Sequence, residues 1–146
     1  MVMQIFCIVS KIDKTFKKSI FLSGAIFFSH VVICGEVKSW ECSKFENSII
    51  LGEGNVYLGK LGPRWLSDSI FNSSSIYSKT WHNESIFNGN TQYGNSYSNN
   101  SAFNDGASSP PKIISDDGFL GYISIGPSWD NERFSPYDLK YTCDWD

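Results

Sequence analysis

Apolar positions are unevenly spread along this chain, and their spacing divides it into distinct stretches. Residues 20–34 are a fifteen-residue apolar run, Ile20-Phe21-Leu22 through Val31-Val32-Ile33-Cys34. Residues 48–61 hold two β-prone stretches, Ser48-Ile49-Ile50-Leu51 and Val56-Tyr57-Leu58, split by a Gly-rich turn, which predicts a hairpin. Residues 62–109 are dominated by Ser, Asn and Gly, with large side chains only at intervals. In residues 110–125, Lys112-Ile113-Ile114-Ser115 and Phe119 to Ile125 flank Asp116-Asp117-Gly118, a second hairpin signal. Residues 126–146 are aromatic and turn-prone without a clear period, so no regular element is expected there. Nothing after residue 35 sustains helical spacing over three turns, so the expected fold is mainly β with much turn and loop.

The polar stretch has an internal order. Ser69-Ile70-Phe71-Asn72, Ser85-Ile86-Phe87-Asn88 and Ser101-Ala102-Phe103-Asn104 recur at sixteen-residue intervals, as do Trp65, Trp81 and Tyr97. A constant period marks a unit duplicated in tandem, giving a short repeat array over 62–109 flanked by the two hairpins. From Tyr57 to Phe103 every aromatic has an odd number. In extended chain equal parity means a shared face, so short extended pieces joined by Ser/Asn turns, with rings packed on one side, are expected. Asn72, Asn88 and Asn104, which close the tetrads, are expected to tie down turns through their amides, with ligand contact as the alternative.

The stretch from Tyr57 to Ile125 resembles a group of small, often exported bacterial proteins built from tandem Tyr-Gly-x-x-Tyr-Ser-x-x-Ser-x-x-Asn units. Leu58-Gly59-Lys60-Leu61 matches the segment that precedes the units, and Tyr93 to Asn104 is the best-preserved unit. Pro110-Pro111 and Gly121-Tyr122 match the Pro-Pro segment and the Gly-Tyr strand that come after the units. Earlier units depart from the pattern, with Ser78 in place of the glycine and Trp65 and Trp81 in place of the second tyrosine. The resemblance implies an exported bacterial module and brings no catalytic residues with it.

The start of the chain changes where the rest works. Basic Lys14 to Lys18, then the apolar run, then Gly35, is the order of a secretory signal peptide over 1–35, leaving 36–146 as one mature domain. Fifteen residues fall short of the roughly 20 that span a bilayer, so no stable membrane span is expected after cleavage. Acylation of Cys34 is disfavoured by the bulky Ile33 before it. The expected location is the periplasm, the cell surface or the extracellular space. Cleavage leaves Cys42 and Cys143 as the only cysteines. In an oxidising compartment they are expected to pair, the alternative being two buried thiols. Their mirrored settings, Trp40-Glu41-Cys42 and Cys143-Asp144-Trp145, suit chain ends that meet beside two indoles. Residues 36–146 carry eight Lys and Arg against fourteen Asp and Glu, a net charge of −6 without a basic cluster. Nucleic acid is therefore excluded as an expected partner.

Candidate chemistry is sparse. His82 is the only histidine after the signal, no Gly-x-Ser-x-Gly elbow is present, and no loop has the alternating oxygens of a calcium site. No cofactor or metal is expected. Rings interleaved with amides and hydroxyls are what a glycan site uses, so Trp65, Trp81 and Tyr97, with Asn72, Asn88 and Asn104, are the candidate ligand contacts. The expected role is a non-enzymatic module that binds envelope glycan or another envelope protein, or serves a structural role. The alternative is a small secreted hydrolase acting on envelope glycan through Asp68, Glu84 and His82.

Overall fold

The computed structural model describes residues 41–126, 130 and 132–146; residues 1–35, expected to be a signal peptide, and Trp40 and Trp129 lie outside them. A short helix α1 (Cys42–Phe45) leads into strand β1 (Ile49–Leu51), a 3-10 turn over Glu53–Asn55 and strand β2 (Tyr57–Lys60). Strands β3 (Lys112–Ser115), β4 (Gly118–Ile123) and β5 (Arg133–Phe134) and helix α2 (Pro136–Thr142) come after the turn-rich middle.

The two hairpins are β1–β2 and β3–β4, and they lie side by side in one five-stranded sheet of order β2-β1-β3-β4-β5. All pairs are antiparallel except β4–β5, which is parallel. Ile50 faces Ile113 across the β1–β3 seam, and both are fully buried with Leu58 and Ile123. The β3–β4 turn falls on Asp116-Asp117, with Gly118 at a φ of 116° that disfavours a side chain. At Gly121 a Cβ would lie 2.5 Å from the Glu132 carbonyl oxygen, so glycine is what lets β5 approach β4.

Residues 63–107 are built differently from the extended pieces the sequence predicts. The backbone closes a turn roughly every third residue. Leu66 N–H donates to the Pro63 carbonyl, Ser69 to Leu66, Asn72 to Ser69 and Ser75 to Asn72, at 2.9–3.2 Å. The pattern resumes with Ser85 to His82, Asn88 to Ser85 and Thr91 to Asn88, and again with Ser98 to Asn95 and Ser101 to Ser98. The serine and asparagine of each tetrad also accept, through their side chains, the N–H two residues ahead. Ser69, Ser85 and Ser101 take Phe71, Phe87 and Phe103, and Asn72, Asn88 and Asn104 take Ser74, Asn90 and Gly106. Ser and Asn suit this because a short polar side chain satisfies the local backbone that a strand would send to a neighbour.

This geometry also changes which residues form the core. Parity fails as a guide, because the odd-numbered Tyr93 is 5% exposed while the odd-numbered Tyr97 is 91% exposed. Inside lie the even-numbered Ile70, Ile86 and Ala102, sixteen apart, with Phe71, Phe87 and Phe103 half-buried beside them. The serines that open those turns, Ser69, Ser85 and Ser101, are fully buried. Burial of a hydroxyl requires a partner. Ser69 Oγ donates to the Gly62 carbonyl at 2.7 Å and Ser85 Oγ to the Tyr77 carbonyl at 2.8 Å. Among the described residues no buried side-chain nitrogen or oxygen lacks a partner. At Gly94 a Cβ would lie 2.4 Å from the Asn88 carbonyl oxygen and 2.5 Å from that of Ile86, so a side chain there would push two turns apart.

The turns join the sheet at both ends. Lys60 N–H donates to Asp68 and Ile70 N–H to Lys60, which covers the outer edge of β2. At the far end Ile125 N–H donates to Ala102 and Ser109 N–H to Asn99. The tail, where no regular element is expected, holds β5 and α2. Ser135 caps α2 by accepting the Asp138 N–H, Pro136 occupies its first turn and Leu139 is buried beneath it. Cys143, at the C-cap of α2, forms a disulfide with Cys42 of α1 across 101 residues. Trp145 is buried with its ring 5.9 Å from Phe71.

Candidate functional site

The three-residue turns dictate which side chains face outward. Trp65 sits just ahead of the Leu66 corner, Trp81 ahead of His82 and Tyr97 ahead of Ser98, all three at the same place in the turn pattern. They are 74%, 68% and 91% exposed, in a molecule that buries Tyr93, Trp145 and Phe45. Among the described residues the one ring Trp81 meets is that of His82, with centroids 6.0 Å apart, and the other two meet none. Each is an open platform outside the described clefts, one apolar face of which a ligand can cover.

The asparagines point inward. Asn72, Asn88 and Asn104 donate through Nδ2 to the carbonyls of Leu66, His82 and Ser98, six residues back, at 2.8, 3.1 and 2.9 Å. With Oδ1 accepting the N–H two residues ahead, both ends of each amide are committed to the backbone. Asn88 is 3% exposed. The asparagines therefore brace the turns that carry the rings, with their amides turned to the backbone while Trp65, Trp81 and Tyr97 stand exposed.

Asp68 and Glu84 occupy the same place in successive turns and flank a pair of tyrosines. The Tyr57 hydroxyl donates to the Asp68 carboxylate, and Lys60 Nζ lies 3.8 Å from it. Burial, then the hydrogen bond to Asp68 and its charge, push the Tyr57 phenol well above the usual range. Tyr77, edge-on to Tyr57 at 5.1 Å, is raised by burial first and then by Glu84 and Asp68. The Tyr57 phenol is held as a donor to Asp68. His82 accepts the Glu84 N–H at Nδ1, 3.3 Å away, acting as a turn corner like the serines. Glu84 itself is exposed. Asp68 is thus bound up with Tyr57 and Lys60, and no group of three His, Cys, Asp or Glu suited to a metal occurs among the described residues. Among the described residues, no helix is long and apolar enough to cross a membrane.

The sequence singles out the Trp65, Trp81 and Tyr97 series and names Asp68 and Glu84 for the hydrolase alternative, but misses Tyr57 and Tyr77, which complete a tyrosine and carboxylate ridge with them. The signal for that ridge is the sixteen-residue equivalence of Asp68 with Glu84 and of Tyr77 with Tyr93. Comparison with family models, curated proteins and solved structures finds no match to this chain.

Proposed function

We propose that the chain is an exported, disulfide-closed module of sixteen-residue tandem units that contacts envelope glycan through Trp65, Trp81 and Tyr97 and performs no catalysis. One observation carries the reading: three large rings at equivalent turn positions, 74%, 68% and 91% exposed, in a small molecule with few rings to spare for its core. A sugar offers an apolar face to stack on a ring and hydroxyls for nearby amides and water, and open platforms in series suit a polymer better than a single residue. The pairing of Cys42 with Cys143 supports a location outside the reducing cytoplasm. The test is co-sedimentation of the purified oxidised protein with insoluble cell-wall polysaccharide. Wild-type protein is expected in the pellet, and the triple variant Trp65→Ala, Trp81→Ala, Tyr97→Ala in the supernatant with its thermal midpoint retained. Equal pelleting of the two, or none by the wild type, rejects the reading.

The hydrolase alternative rests on the equivalent places of Asp68 and Glu84 in successive sixteen-residue units. It requires Asp68→Asn, Glu84→Gln or His82→Ala to abolish release of reducing ends from that polysaccharide. A module that only binds keeps its affinity in all three variants and releases none.

A further inference from the structure

A concave site whose lining includes none of the exposed rings lies where α2 meets the row of half-buried phenylalanines. Phe71 is covered by Trp145, and Phe103 meets Phe87 at 5.8 Å and Tyr137 at 5.7 Å. Between Phe71 and Phe87 the cover is incomplete. A cleft of about 360 Å³ remains, walled by Ile70, Phe71, Phe87 and Tyr137. Its volume falls at the lower end of small-ligand sites, about 300–1,000 Å³.

The rim of the cleft is polar. Ser73, Ser78 and Thr80 line it, with Lys140 on the α2 side. The Ser78 hydroxyl donates to the Ser75 carbonyl and retains acceptor capacity. The Ser73 and Thr80 hydroxyls bond to no described residue. An apolar occupant would strand these hydroxyls against its surface, which is unfavourable. A sugar ring matches both parts, stacking its C–H face on Phe71, Phe87 or Tyr137 while its hydroxyls reach the rim.

Charge narrows the class further. Lys79 Nζ donates to the Ser73 carbonyl at this rim, and Lys140 pairs with Asp146, a carboxylate that is 74% exposed. One cation thus faces an exposed carboxylate, with a second at the rim, in a chain whose residues 36–146 are acidic overall. An exposed pair of this kind contributes little and exchanges readily for a better-placed anion. The geometry points to a binding site for a carboxylate-bearing sugar, a uronic acid or its equivalent, in the cleft between α2 and Phe71–Phe87, its carboxylate taking the place of Asp146 at Lys140. This site is independent of the Trp65, Trp81 and Tyr97 surface and stands whether or not that surface binds a polymer.

Titration of the isotopically labelled oxidised protein with methyl glucuronide and methyl glucoside tests the assignment. Saturable amide shifts confined to 70–80, Phe87 and α2 are expected with the glucuronide, and about tenfold weaker binding with the uncharged glucoside. Lys140→Gln is expected to abolish the preference and Lys140→Arg to restore most of it; both changes lie at the surface and leave the core intact. The triple ring variant is expected to titrate like the wild type, which separates this site from the proposed polymer surface. Absence of saturable shifts with the glucuronide, an unchanged preference in Lys140→Gln, or equal binding of hexanoate overturns the proposal.

Discussion

Ile50 in the sheet and Asn88 in the turns solve the same problem with opposite partners. Ile50 pairs with Ile113, far along the chain, and its strand is satisfied only when β1 and β3 meet. Asn88 reaches the His82 carbonyl six residues back and the Asn90 N–H two residues ahead, so its stretch is satisfied almost entirely from within. The turns therefore carry their own hydrogen bonds but give the core little apolar surface, an Ile-Phe or Ala-Phe pair from each unit together with Tyr77 and Tyr93. The sheet provides the apolar wall those pairs pack against. Local satisfaction of the backbone does not by itself make a core, and the two regions stabilise each other.

The strongest way to break that partnership is to open the disulfide that holds α1 to α2. In the chain-entropy view a loop near 100 residues contributes about 4.7 kcal/mol, so Cys143→Ser with Cys42→Ser should lower the urea midpoint by a large fraction of the total stability. An unchanged midpoint would show that the ends are held by packing alone. Next in size, Ile86→Ala in the turns and Ile113→Ala in the sheet should each cost about 2–5 kcal/mol, because both side chains are fully buried. A loss below about 1 kcal/mol at Ile86 alone would mean the turns only decorate the sheet.

Asn88→Ala should cost about 1–3 kcal/mol, since it removes a buried amide and leaves a part-buried carbonyl and a backbone N–H without their partner. Asn72→Ala and Asn104→Ala, at half-buried sites open to water, should cost less, as judged by denaturant titration. Smaller again is a pH effect at the junction of the two regions. The Tyr57 phenol is raised in the folded chain, so its contribution is complete below the unfolded value near 10 and is lost as pH climbs above that towards the folded value. Thermal midpoints measured between about pH 8 and 11 should fall more steeply for the wild type than for Tyr57→Phe. Smallest, Trp65→Ala, Trp81→Ala and Tyr97→Ala should each shift stability by no more than about 0.5 kcal/mol, because these rings touch little.

Much of the sheet is legible because its signals are local. Asp116-Asp117-Gly118 between β-prone runs fixes the β3–β4 turn, and Gly52 to Asn55 does the same for β1–β2. The Cys42–Cys143 pairing comes from the same kind of reasoning, from two cysteines in mirrored settings. The seam between β1 and β3 and the parallel addition of β5 are not legible, since neither depends on residues adjacent in sequence. The turn stretch misleads for a different reason. Ser69, Asn72 and Ser75, then Ser85, Asn88 and Thr91, put a short polar residue at every third position, and that spacing names turns, yet the aromatic parity points to strands. Helix α2 also has a readable start in Ser135-Pro136 with Asp138, hidden by a length of only seven residues.

The bond between Cys42 and Cys143 has a consequence for how this molecule would meet a protease. Arg64 and Lys79 both lie within the 101-residue span it closes. A single trypsin cut after either would leave both pieces covalently attached, migrating as one band on a gel run without thiol and as two once thiol is added. In a secreted setting, nicked and intact molecules would share one mass to within a water and travel together until something reduced them.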